Sequence, residues 1–143
     1  MKRTIIAIPL IFIFFIAVFA GEKEDLKRGK KLYIEQCSKC HRKNGKGVKL
    51  VYPPLRNADY IKKNDKYELL RGMLFGREGK IIVNGYVYKG VMTTEIDKSL
   101  SDEDIALILY YVYKKLNGLD IKVSAKDVRK ARKMGKLPVH KLK

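Results

Sequence analysis

The sequence predicts an all-α domain of three to four helices, interrupted by one small hairpin. Three observations lead there. Apolar residues recur at helical spacing over 24–36, 65–75 and 101–116. The stretch that pairs two apolar runs about an Asn-Gly, 81–88, is too short to define a sheet. The chain has 143 residues, 46% of them hydrophobic, which suits one small domain rather than two. Both cysteines fall within one short motif, so no separate disulfide framework exists, and a domain this small often needs a covalent or metal staple.

Taken in order, 1–20 begins with Lys2 and Arg3, runs apolar over 5–19 and ends Val18-Phe19-Ala20. That layout is a secretory signal peptide cut between Ala20 and Gly21. An uncleaved anchor is the alternative, because the run approaches the lower length of a membrane span. On either reading the remainder faces the periplasm, with 21–118 as the domain and 119–143 as a basic C-terminal extension.

Helix 24–36 carries acidic residues in its first turn and presents Leu26, Gly29, Leu32 and Tyr33 on one face. Gly29 costs about 1 kcal/mol against alanine inside a helix, so a close approach is expected there. Gly45, Gly47 and Pro53-Pro54 mark 44–57 as a loop. A short helical piece is expected over 58–62. A firmer helix follows over 65–75, with Leu69, Leu70, Met73 and Leu74 as its stripe and Gly76 at its end. The hairpin 81–88 turns at Asn84-Gly85 and reads as an insertion. Ser101 caps the strongest helix, with Asp104 reaching back and Ile105, Ile108, Leu109, Val112 and Leu116 buried, until Asn117-Gly118 stops it. In the extension, Ser124 and Asp127 open one more short helix to about Met134.

Lysine and arginine number 32 against 15 acidic residues, a formal charge of +17. Charge of this size steers a protein toward acidic partner surfaces or an anionic membrane, or serves solubility alone. Nucleic acid is disfavoured as a partner by the export signal and by the lack of any nucleic-acid-binding motif.

Cys37-Ser38-Lys39-Cys40-His41 is the pattern for covalent haem attachment. Each thiol adds to one vinyl group, and His41 supplies an axial nitrogen to the iron. One haem c, held through Cys37 and Cys40, is the expected cofactor. A thioredoxin-type pair would need a strand–helix setting. Zinc would need about four donors, where the whole chain offers two Cys and two His.

The second axial position separates electron transfer from ligand chemistry. The candidates are Met73, Met92, Met134 and His140. Met73 lies on a helical stripe, where methionine usually fills core. Met134 and His140 lie in the basic extension, expected to be mobile. Met92 falls in Lys89-Gly90-Val91-Met92-Thr93-Thr94, read as a loop with no stripe to fill. It is the leading candidate, since His/Met ligation is established for c-type iron.

With these motifs in this order, 24–118 resembles the class I monohaem cytochromes c. The resemblance implies helices packed around one haem, with Gly29 and Tyr33 contacting Ile108 and Tyr111 on the last helix. It implies that Pro53 accepts a hydrogen bond from His41, that Leu55 packs on the haem face, and that His41 and Met92 bind the iron. Residues 52–55 and 84–92 further resemble small cytochrome domains of bacterial oxidoreductases and oxidases. Thr93-Thr94 departs from the pattern, standing where many relatives have proline. The implied function is a periplasmic single-electron carrier that is not an enzyme. A fixed electron-transfer subunit of a periplasmic dehydrogenase or terminal oxidase is the alternative. A haem catalyst or sensor with an open iron site is a third, and requires that Met92 not bind.

Overall fold

The computed structural model describes the backbone of residues 7–93 and 96–139, and side chains from residue 21 onward; Thr94 and His140 lie outside the described residues. Helix α1 spans Ala7–Gln36, so the expected helix 24–36 starts much earlier, and the Ala20-Gly21 junction lies inside it. A short helix α2, Ser38–His41, follows after the single turn residue Cys37 and carries the rest of the Cys-x-x-Cys-His motif. Helices α3, Asp59–Lys63, and α4, Lys66–Phe75, come next. The carboxylate of Asp65 caps α4 by accepting from the backbone N–H groups of Tyr67 and Glu68, and Gly76 ends it at φ 76°.

Strands β1, Arg77–Val83, and β2, Tyr86–Met92, make an antiparallel pair in register from Arg77↔Met92 to Val83↔Tyr86. Asn84 and Gly85 both take positive φ, 51° and 80°, as the tight hairpin turn requires. The small hairpin expected within a helical domain is thus present, and it is longer than the stretch 81–88 read from the sequence. The described residues are mostly helical with one two-stranded sheet, and the hairpin is seven residues on each side. The alternation of 81–88 marked the turn but not the strand ends, because Arg77, Glu78, Gly79 and Lys89 carry little strand propensity.

Helix α5, Asp102–Tyr111, continues into a π-helical turn, Val112–Leu116. Ser101 accepts from the N–H of Asp104 and donates to its carboxylate. Ile105, Ile108, Leu109, Val112 and Leu116 are all buried, as the stripe required. Asn117 ends the helix and is itself buried. Its amide donates to the carbonyls of Leu55 (2.7 Å) and Val112 (3.0 Å) and accepts from the N–H of Ala58 (3.0 Å). One buried side chain thus ties the loop after the motif to the last turn of the core helix, with its polar atoms satisfied.

Helix α1 crosses α5 at Gly29. A Cβ there would strike the Leu107 carbonyl oxygen and come within 3.1 Å of Tyr111 Cβ. Four residues on, the rings of Tyr33 and Tyr111 meet at 5.4 Å between centroids. The extension is not a loose appendage over its described part. Helix α6, Ala125–Met134, opens on a capping box between Ser124 and Asp127. It packs against α4 and α5, and Val128 and Ala131 are fully buried in the common core.

The N-terminal side of this core is fastened by Glu22. Tyr110 donates to its carboxylate at 2.5 Å, with Lys114 at 3.4 Å and Lys122 at 3.5 Å. The Tyr110 hydrogen bond foremost, with the two lysines, lowers the Glu22 pKa from 4.5 to about 2. A carboxylate depressed in the folded state adds stability above its unfolded pKa and loses it as pH falls through the folded one. Urea titration of Glu22→Gln should show a deficit at about pH 6 that closes as the pH falls from 4.5 toward about 2. A deficit unchanged over that window would contradict the assignment.

Candidate haem site

The motif is set by the end of α1. The Cys37 N–H still bonds to the Tyr33 carbonyl (2.9 Å), and the His41 N–H bonds to Cys37 (3.0 Å), so both cysteines and the histidine sit on one tight helical turn. Arg42 breaks it with φ 64°, and its carbonyl accepts from the Tyr33 hydroxyl at 2.9 Å. The helix-crossing tyrosine and the motif are thereby coupled.

The loop then folds back on His41. Gly47 has φ 64°, and its N–H bonds to the His41 carbonyl (3.0 Å). A Cβ on Gly47 would strike the Tyr52 carbonyl and lie 2.7 Å from the Pro53 oxygen, so this approach is open only to glycine. It sets the Pro53 carbonyl 2.8 Å from His41 Nδ1. A carbonyl only accepts, so Nδ1 carries the proton and Nε2 keeps its lone pair. His41 is 6% exposed. Burial pushes its imidazole below the ordinary pKa, against the opposing hydrogen bond to Pro53. A neutral imidazole with a fixed tautomer is what a metal ligand requires.

His41, Cys37 and Cys40 line a cleft of about 270 Å³. Met92 lines it too, from the end of β2 rather than from the loop expected for it, and is 41% exposed. Pro53 is at the wall beside His41. Leu55 is part-buried against the core and is not among the residues lining this cleft. Two features were missed at the sequence level. The hairpin is a wall of the cleft, through Gly79, Ile81, Tyr88 and Val91, and not a detached insertion. Met73, taken for core filler, packs on the core and also lines the cleft. Its place on the α4 stripe fits both roles, so spacing alone carried no signal.

The cleft suits a haem by its donors. Burial, foremost, pushes the Cys37 thiol up to about 12, opposite to the depressed pKa of a redox-active Cys-x-x-Cys nucleophile. No group of three or more His, Cys, Asp or Glu that could hold a metal ion occurs among the described residues. On the wall, Arg77 pairs with Glu68 at 2.7 Å and stands over the Tyr60 ring. Its Nη1 is buried with no hydrogen-bond partner among the described residues, a donor that an anionic group such as a haem carboxylate would satisfy.

A helical domain whose cleft joins Cys-x-x-Cys-His to a methionine defines a haem-holding electron-transfer protein. The comparisons agree. The cytochrome c family profile matches residues 26–114. Cytochrome c-552 of Thermus thermophilus is 34% identical over 141 residues, covering 92% of this chain and 87% of its own. The cytochrome c subunit of the quinone alcohol dehydrogenase of Gluconobacter oxydans is 28% identical over 108 residues, covering 75% of this chain but 22% of that subunit. The chain belongs to the cytochrome c family. Its cofactor is covalently bound haem c, its function is electron transfer, and it is not itself an enzyme.

Proposed function

We propose that this protein is an exported single-electron carrier, with one haem c held by Cys37 and Cys40 and with His41 and Met92 on its iron. The observation that carries this reading is that both cysteines, His41 and Met92 line one cleft. Bound haem supplies an iron that gains and loses one electron. The protein's own groups do the rest. Pro53 accepts the Nδ1 proton, which orients the imidazole and raises its basicity as a donor. The Met92 thioether favours the reduced iron and raises the potential. Were His41 and Met92 both to hold the iron, no position would be left on it for substrate, which separates a carrier from a catalyst. Leu55, part-buried against the core, is carried over from the family resemblance as a residue that would pack on the haem face. Residues 1–20 are the export signal in this reading, which sets the domain in the periplasm. Surface lysines guide it onto acidic redox partners, at rates that fall as salt rises.

The ferric protein is expected to be low-spin, with a weak far-red band from the sulfur–iron(III) bond. A high-spin ferric protein lacking that band would contradict the axial pair. A second reading draws on the relative that is a dehydrogenase's cytochrome c subunit. In it the chain is the fixed electron-transfer subunit of a periplasmic dehydrogenase or terminal oxidase. Co-purification with a larger enzyme in fixed ratio, surviving high salt, selects that reading over a free shuttle.

A further inference from the structure

The solvent face of α6 is the strongest feature that electron transfer does not use. At helical spacing Lys126, Arg129, Lys130 and Lys133 fall within about a third of the helix circumference, and Val128 and Ala131 fall opposite. The latter two are fully buried, so the basic face is fixed on the domain rather than carried on a loose tail. Arg129 has only a 4.0 Å contact with Asp102, and Lys130 lies 4.4 Å from the centre of the Tyr67 ring. Lys126 and Lys133 make no ion pair among the described residues. None of the α6 residues lines the haem cleft.

We infer that this face of α6 docks the protein on an anionic lipid surface and leaves the cleft free for redox partners. Two observations favour lipid over an acidic protein. Lysine is depleted from protein–protein interface cores, and this face offers no exposed aromatic anchor, whereas anionic headgroups reward diffuse lysine charge.

The test is partition of the haem-loaded, exported protein onto phosphatidylglycerol-containing vesicles and onto pure phosphatidylcholine vesicles at low ionic strength. The ratio of the two cancels any insertion of the N-terminal run. At about fivefold per lysine, Lys126→Ala, Lys130→Ala and Lys133→Ala together should lower the ratio on the order of a hundredfold. The same change at the exposed Lys43, Lys46 and Lys49, in the loop after the Cys-x-x-Cys-His motif, should leave it within about threefold. An unchanged visible spectrum controls for folding, and the glutamine triple at the three α6 positions should reproduce the loss. Equal losses in the two triples would reduce the effect to bulk charge and overturn the inference. So would a ratio near one in the unaltered protein, including the case where the α6 triple impairs only capture of an acidic protein.

Discussion

Met92→Ala should abolish the far-red band and lower the reduction potential by on the order of 100 mV, within the ~0.8 V that axial ligands span. Met73→Ala should leave both in place. The comparison is needed because both sulfurs line the cleft. Met73 belongs to α4 and packs against the hydrophobic core, so its truncation removes packing and shows in stability. Met92 ends β2 opposite Arg77, where its exposed side chain has little packing to lose. Its effect should therefore be confined to the iron. Potentiometry and the ferric spectrum of both variants decide the matter. Loss of the band in Met73→Ala with retention in Met92→Ala would transfer the ligand to α4.

Gly29→Val should destabilise the haem-loaded protein by about 3 kcal/mol or more, at the severe end of point substitutions. The first added carbon strikes the Leu107 carbonyl, which is helix backbone and cannot rotate aside as a side chain would. Relief comes only by separating α1 from α5. That separation strains the Tyr33–Tyr111 contact and, through the Tyr33 hydroxyl on Arg42, the end of the motif turn. Haem incorporation during expression should fall along with stability. Valine is a mildly better helix former than glycine, so local propensity works against the predicted loss and does not explain it. Guanidinium unfolding measures the effect, and a loss under about 1 kcal/mol would mean that the helices are not locked at Gly29.

Where a single residue type has one physical use, the sequence was legible. Asn84-Gly85 announced its turn, Ser101 and Ser124 announced their helices, and Gly29 announced a close crossing, because each answers to local stereochemistry or to one contact. Cys37, Cys40 and His41 were legible for the same reason, since covalent attachment demands that spacing. The hydrogen bond from His41 to Pro53 was reached through family resemblance and not from spacing. Pro53 comes twelve positions after His41, and the fold-back at Gly47 closes the gap.

What could not be read was decided by tertiary packing. The strand ends at Arg77 and Met92 are fixed by pairing, not propensity, so Met92 looked like a loop residue. Helix α6 has an apolar face of only Val128 and Ala131, too thin in a lysine-rich stretch to reveal that it is buried. Arg77 gave no signal at all. Its partners Glu68 and Tyr60 lie on two other helices, and only the fold brings them to the cleft wall.

The central claim is that both axial positions of the iron are filled by the protein, and carbon monoxide tests it most directly. The dithionite-reduced protein, mixed with carbon monoxide, should keep its spectrum, since His41 and Met92 leave no position for the ligand. Immediate conversion to a carbon monoxide adduct in the unaltered protein would mean an open iron, and would contradict the account of this chain as a simple electron carrier.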